Sequence, residues 1–558
     1  MADESRVKQL LTRRKALRSR RGQWDSHWDD LSRVQLPRRL GFVTQTQDGD
    51  RRMDDIYDGT PMQAARGLAN ALGSMVRPEG EKWHSIHAVD GPETDEAKDW
   101  LADTDERMRD AFENPKSRMR QALGEGDSDL VVLGTAVVFM GEGDTNLLFQ
   151  TLHLKDALPI FGESGNAEGM LRDRRFTVSQ AVDRFTLDKL SDTVKQQYAN
   201  KKFDEYVDFL HCVTPRKEGR ADAMLARNLP WADMWIEIEA EKLSSSGGFH
   251  EFPFAVPRWD TSSGEEYGRS PGMIALPDSN TVQAMGATLL IAGQRAADPP
   301  LAVPDDSTFD APNTFPGGLA YYDLETARAV GRIPIAPLDS GANIPITREM
   351  QDDTRNQIWN AFFRNILRLP VGGPQMTATE INARKEEFIR EIGPVFGRLE
   401  TDYTAPIVER SFQIMLRAGA LAPIPEVLQG QGVRFEYQSP IRKLRQQVEA
   451  ASARAWAEEM IILGQVKPEA LDLVNVDALG RFTAEAAGLP NDIINGMDEV
   501  QRLREERAAA QQAAAEMQQL QAGVDTAATA ADAANKAGLI GAAGGFSTVS
   551  ATPIPRRF

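Results

Sequence analysis

Apolar residues at the start of the chain recur at helical spacing. Leu10, Leu17, Trp24, Trp28 and Leu31 follow one another at intervals of seven, seven, four and three, which predicts an amphipathic helix over 5–35. Its other face is rich in Arg13, Arg14, Lys15, Arg18, Arg20 and Arg21. Two readings stand: an arm for nucleic acid or membrane, or a helix packed on its own body through both Trp with its basic face in water. Asp58-Gly-Thr60 then caps a predicted helix from Pro61 to Met75, with proline at its first position and Met62, Ala65, Leu68, Ala69 and Leu72 on its apolar face.

A further helix is predicted over Glu93–Phe112. The apolar runs Thr135–Met140 and Leu147–Leu154, joined by Gly141-Glu-Gly-Asp-Thr-Asn146, read as a β-hairpin. The acidic glycine turn lacks EF-hand ligand spacing and reads as a plain turn. Helix is predicted again over Thr177–Ala199. From Glu205 to Trp259 the pattern turns strand-like, with Ile236, Ile238 and Ala240 alternating with Glu237, Glu239 and Glu241. That alternation predicts a half-buried strand with an acidic outer face, without acid/base chemistry. Residues 1–277 thus read as one α+β unit.

The middle of the chain is organised differently. Asp278 and Ser279 are the expected caps of a helix to Ala297, with Val282, Met285, Leu289 and Ala292 on one face; it should be about 30 Å long. Eight prolines interrupt 298–345. A second helix is predicted from Thr347 to Arg368. Two rods of similar length around such an insert suggest an antiparallel pair with a small β or irregular module at its far end.

Next comes the loop Leu369-Pro370-Val371-Gly372-Gly373-Pro374-Gln375-Met376. Thr377 and Glu380 follow with the spacing of a capping box, then a helical pattern to about Arg417. Pro394 and Pro406 inside it predict a bend. The end is helical again over Ile441–Leu463, Pro468–Ala487 and Met497–Val524, and the tail after Gly538 has the composition of disorder.

The chain has 558 residues with 41 % hydrophobic content, enough for several folding units. Its net charge of −18 argues against a protein that simply coats nucleic acid, though not against an acidic wall that nucleic acid slides past. Cys212 is the only cysteine, so neither an intramolecular disulfide nor a cysteine-based metal site can form. No apolar run is long enough for a transmembrane helix, and the N-terminus lacks a signal-peptide core. The default class is an acidic, cytoplasmic, multi-domain protein.

Candidate chemistry is sparse. There is no P-loop, no nucleophile elbow and no His-Glu-x-x-His. His84 and His87 are the only close histidine pair and, beside Trp83, read as core edge or surface rather than metal ligands. The expectation is no enzyme, no catalytic or metal residues and no cofactor.

Five stretches carry a resemblance. They are Tyr57-Asp-Gly-Thr60 with Ala64–Leu72 and Trp83; Tyr267-Gly-Arg-Ser-Pro-Gly-Met273 with Leu276-Pro-Asp278; Asp298-Pro-Pro-Leu-Ala-Val-Pro-Asp305; Met376-Thr-Ala-Thr-Glu380 with Arg384 and Gly393-Pro-Val-Phe-Gly-Arg-Leu399; and Tyr437-Gln-Ser-Pro-Ile441. In this order, across about residues 55–505, the chain resembles the head-to-tail connector, or portal, family of short-tailed bacteriophages. The resemblance implies an α+β, mainly helical portal fold in a ring-shaped homo-oligomer, usually a dodecamer.

It implies a wing over 1–277, stem helices over 278–297 and 347–368 about a clip at 298–346, and a tunnel loop at 369–376. A long kinked wing helix and return over 377–440, a helical crown over 441–537 and a disordered tail over 538–558 would follow. The tunnel loop would line the DNA channel; Gly372 and Gly373 give it mobility or simply meet a turn's need for positive φ. The clip, with Pro299, Pro300, Pro304, Phe309, Phe315, Tyr321 and Tyr322, would meet the terminase large subunit and later the tail adaptor protein. Arg348, Arg355, Arg364 and Arg368 would face the DNA or pair with Glu349, Asp352 and Asp353.

Major capsid and scaffolding proteins and double-stranded DNA passing through the channel are the other implied partners, with no membrane. The implied place is the portal vertex of the virion, after assembly in the host cytoplasm. The alternative is an internal ejection protein or a scaffold-type helical protein.

Overall fold

The computed structural model describes residues 2–39, 41–44, 47, 49–78, 80, 82–89, 94–143, 147–220, 223, 225–297, 301–302, 325, 328–329, 336–337, 344–364, 393–430, 432–437, 440–467, 473–486, 495–496, 499–514 and 529. Two compact units emerge, Met1–Arg445 and Gln446–Phe558.

The first unit opens with helix α1 (Ala2–Gln35), α2 (Thr60–Val76), strand β1 (His84–Ala88), α3 (Asp95–Glu113) and α4 (Met119–Leu133). The predicted hairpin is present as β2 (Val138–Gly141) and β3 (Leu148–Thr151). Then come β4 (Ala157–Phe161), β5 (Ala167–Thr177), α5 (Val178–Phe185), α6 (Asp192–Ala199), β6 (Tyr206–Pro215), β7 (Trp231–Glu237), β8 (Lys242–Phe249) and β9 (Phe254–Ala255). Strands β4 to β8 form an antiparallel meander in chain order, and β9 extends the hairpin sheet beside β2.

Period-two alternation gives the meander two apolar faces. Leu171, Leu210, Cys212, Met234 and Ile236 pack against Val7, Leu10 and Leu11 of α1. Phe209 and Trp235 on the other face receive Val178, Phe185 and Val194 from α5 and α6. Helix α1 therefore packs on its own body, and half of its predicted basic face turns inward. Arg21 donates to the carbonyls of Leu154 and Ala157, each at 2.7 Å, and Arg14 and Arg18 bind Asp173. Trp28 is fully buried, donates to Leu133 O at 2.9 Å and stacks edge-on to Tyr267.

Several expectations need correcting. The predicted helix over 177–199 breaks at Thr186, where φ is +65°, and restarts behind the Ser191 cap. Glu237 does not lie on an acidic outer face. It is buried at the end of β7 and accepts from the backbone N–H and hydroxyl of Ser191, so it holds the start of α6; the chain then turns over 238–241. Helix α4 and strands β1, β4 and β5 are not marked by any local periodicity.

The helices predicted around the proline-rich insert follow as α7 (Pro271–Ile274), α8 (Leu276–Ala297) and α9 (Ile344–Ala361), with the short strands β10 (Leu301–Ala302) and β11 (Ala336–Pro337) between the last two. The long helical pattern is described from 393 onward and passes through a π-turn at Glu400–Thr404 into α10 (Ala405–Arg417). Pro406 has no N–H to give to Asp402, and Ala405 N–H donates to Glu400 O five residues back, so the wider turn absorbs the proline. Strand β12 (Val433–Tyr437) returns to pair with β1, joining segments about 350 residues apart. The second unit contains the greater part of α11 (Pro440–Val466), then α12 (Val476–Ala486) and helix over 499–514; Arg504 binds Asp477 with two contacts of 2.7 and 2.5 Å.

One buried pair sets a pH test. His84 Nε2 lies 3.4 Å from Asp105 Oδ1 inside the core. Burial pushes Asp105 up to about 6 and His84 down to about 4. Asp105 binds its proton more tightly when folded, so its contribution grows as pH falls from about 6.5 toward 4. His84 is protonated first in the unfolded chain, so its contribution shrinks as pH falls from 6.5 toward 4. Each is worth about 3 kcal/mol and they oppose. Relative to wild type, Asp105→Asn should therefore lose stability on acidification from pH 6.5 to 4, and His84→Gln should gain it. Urea titrations across that window read the difference, and parallel curves would refute it.

Candidate functional site: the helix pair and its root

The helix pair begins at Ser270. Its hydroxyl accepts from Met273 N–H at 3.0 Å and donates to Val132 O at 2.7 Å, capping α7, which runs into α8. This corrects the predicted caps: Asp278 lies in the first turn of α8, and Ser279 is buried inside it, donating to Ala275 O at 2.6 Å. Gln35 at the end of α1 donates to Gly272 O at 2.8 Å and so fixes the root of α8. Gly134 and Gly268 meet backbone to backbone here; a Cβ on either would come within 2.2 Å of the other's carbonyl oxygen.

At 22 residues α8 is about 33 Å long. Leu276, Ser279 and Val282 are buried; beyond Val282 no residue of α8 is, and 294–297 are exposed. Strands β10 and β11 pair antiparallel and bring the chain back to α9. Helix α9 lies against α8, and it touches α7 and α2 at the root. The two helices are therefore antiparallel. Gln351, Thr354, Ile358 and Phe362 form the buried face of the return, and Leu290, Ile291, Ile346 and Met350 leave half or more of their surface exposed.

Asp58 holds the pair at its root. Its Oδ1 accepts from Thr60 N–H at 2.9 Å, just ahead of α2. Its Oδ2 accepts from Arg355 Nε at 2.8 Å and Gln351 Nε2 at 3.2 Å, both on α9. From α8, Gln283 Oε1 accepts the N–H groups of Tyr57 and Asp58, and Gln283 Nε2 donates to Asp58 O at 2.6 Å. Burial raises the Asp58 carboxyl, but the Thr60 hydrogen bonds and the Arg355 guanidinium outweigh it and hold the group below its ordinary value. One carboxylate thus ties α2, α8 and α9 together.

Of the four predicted stem arginines, Arg355 binds Asp58 and Asp352, the latter at 2.7 Å. Arg348 is exposed. Arg364 lies past the end of α9, its guanidinium 3.7 Å from the centre of the Trp359 ring. Arg368, the tunnel loop Leu369–Met376, Thr377, Glu380 and the clip residues Pro299, Pro300, Pro304, Phe309, Phe315, Tyr321 and Tyr322 lie outside the described residues. The sequence pattern marks Asp58 as a helix cap only and does not point to Gln283 or Gln351, because nothing local signals partners more than 220 residues away. Among the described residues no group of His, Cys, Asp or Glu could hold a metal ion, and no helix is long and apolar enough to cross a membrane.

The chain thus folds as α+β structure that carries an antiparallel helix pair. It matches the family described as bacteriophage head to tail connecting protein over residues 7–494. The chain belongs to that family. The probable portal protein of Bordetella phage BPP-1 is 29 % identical over 95 % of this chain and 96 % of its own. The portal protein of Salmonella phage epsilon15 is 30 % identical over 94 % and 95 % respectively. A solved chain from the virion of the native gene transfer agent particle has 9 % identity and a TM-score of 0.35, covering 80 % of this chain and 96 % of that one, too loose a likeness to bear on fold or function.

Proposed function

We infer that this protein is a phage portal, the head-to-tail connector through which double-stranded DNA enters and leaves the capsid. The near-complete alignment with two portal proteins, over 94–95 % of this chain and 95–96 % of theirs, carries the reading. The stem geometry supports it: two rods about 30 Å long leave the core together and carry no buried side chain toward their far end.

The finer assignment follows. About twelve copies close into a ring, α8 and α9 cross the shell, 298–346 meets the terminase and then the tail adaptor, and 369–376 narrows the channel. The net charge of −18 per copy gives a wall that repels phosphate, so duplex slides without the tight binding that counterion release would bring. Capsid and scaffolding proteins surround the ring at one vertex of the virion.

Negative-stain microscopy of the purified protein tests this. A closed ring with an open bore wide enough for duplex DNA is expected, and a compact monomer at micromolar concentration would count against it. ATP hydrolysis by the pure protein would point instead to the motor. Its absence from mature particles by mass spectrometry would point to a scaffold.

A further inference from the structure

We propose that the outward face of α1 is a second duplex-DNA contact, on the flank of the body and separate from the channel. Residues 5–24 hold eight cations and no acidic side chain, in a chain where acids outnumber bases by 82 to 64. The structure divides those cations. Arg14, Arg18 and Arg21 turn inward and are spent on Asp173, Asp25 and backbone carbonyls. Arg6, Lys8, Arg13, Lys15 and Arg20 are all exposed. Among the described residues no carboxylate pairs with Arg6, Arg13, Lys15 or Arg20.

Their arrangement is specific. At about 100° per residue, Arg6, Arg13 and Arg20 fall in one row and Lys8 and Lys15 in another, roughly 150° away around the helix, with steps of about 10.5 Å along each row. Between the rows lies an exposed strip of Ser5, Gln9, Thr12, Ala16, Ser19 and Gln23. A neutral, polar crest between two rows of long cations suits a helix laid along the major groove, which is about 12 Å wide and walled on both sides by phosphates. An acidic protein surface is the rival partner. Protein interfaces draw on a desolvated apolar or aromatic centre, and nothing on this crest is more apolar than Ala16. Because α1 is pinned to the sheet along its other side, the rows are held in place before DNA arrives.

Covalently closed circular duplex cannot thread a closed ring, so its binding by the full-length protein reports the outer surface alone. Salt titrations should give an affinity that falls steeply with salt. The variant R6Q/K8Q/R13Q/K15Q/R20Q should bind at least about tenfold more weakly at low salt, with the log–log slope reduced by about one for each phosphate that is no longer neutralised. A charge-matched control at scattered exposed positions, R66Q/K116Q/K189Q/K217Q/R227Q, should stay within about twofold of wild type. If the fivefold variant misfolds, the rows R6Q/R13Q/R20Q and K8Q/K15Q are measured separately, with the larger drop in slope expected from the arginines. Lysine at 6, 13 and 20 should retain binding.

Equal binding by variant and control overturns the proposal, as does no binding of closed circles by wild type at low salt. A variant that loses self-association while keeping DNA affinity overturns it in favour of a contact between copies. The outcome does not depend on the ring: binding that follows the two rows in a protein shown by microscopy to be monomeric would sink the portal reading and leave this one standing.

Discussion

Asp127→Asn should destabilise the first unit by about 3–5 kcal/mol, the loss expected when a buried ion pair keeps one charge and loses the other. Asp127 sits on α4, buried, and binds Arg77 from the end of α2. The Arg77 guanidinium also lies 5.0 Å from the centre of the Tyr403 ring in the π-turn. Burial pushes the Asp127 carboxyl up, and the neighbouring charge of Arg77 offsets this only in part.

The two partners are not equivalent. A carboxylate that loses its cation can take up a proton, whereas a guanidinium that loses its anion stays charged at any pH of interest. Arg77→Met should therefore cost less than Asp127→Asn at pH 7. Its deficit should also shrink as pH falls toward 5, because the folded variant would bind the Asp127 proton more tightly than the unfolded chain does. Asp127→Asn should show no such recovery. Thermal melting of both variants at pH 7 and pH 5 measures the difference; the reverse ranking would mean that the pair is not the buried electrostatic pin described here.

The same helix shows what a sequence pattern can and cannot reach. Its sequence, Gly124-Glu-Gly126-Asp-Ser-Asp129, has the composition of a loop, and no helix is predicted there. The structure explains three of these residues by partners elsewhere. A Cβ at Gly126 would stand 2.9 Å from the Tyr403 hydroxyl; Asp127 takes Arg77; Asp129 takes a two-pronged contact from Arg39 at 2.8 and 2.5 Å. Local propensity gives way to tertiary contacts that cross up to 280 residues. The same holds for β1, which finds its partner only at 433–437.

Segments with a strong local amphipathic or turn pattern are legible: α1, α2, the hairpin and α8 lie close to their predicted limits, whereas α9 ends at Ala361, where Phe363 turns the chain with φ of +57°, short of the predicted Arg368. Of the candidate site, the Tyr57-Asp-Gly-Thr60 motif is visible as a cap. Its second use, as the socket for two helices more than 220 residues later, can only come from the fold.

That socket predicts a graded series. Asp58→Ala removes the acceptor for Thr60 N–H, for the buried amide of Gln351 and for Arg355, and should weaken the root of α9 by about 2–4 kcal/mol. Asp58→Asn keeps an oxygen for Thr60 but turns its amide NH2 toward Gln351 and Arg355, so it loses both of those contacts and should fall between Asp58→Ala and Arg355→Gln; the latter removes only an ion pair whose arginine is 37 % exposed and screened, and should cost about 1 kcal/mol or less.

Because the Asp58 carboxyl is held below its ordinary value, its contribution is complete above about pH 4 and declines only as pH falls through the folded value. The Asp58→Ala deficit should thus be constant from pH 5 to 8, unlike the opposed slopes of Asp105 and His84. Hydrogen exchange locates the effect: amides over 351–358 should exchange at least about tenfold faster in Asp58→Ala, while those of the β5–β6–β7 sheet hold their wild-type rates. Uniform acceleration would mean that Asp58 supports the whole body, and no acceleration would mean that apolar packing of Ile358 and Phe362 alone holds the return helix.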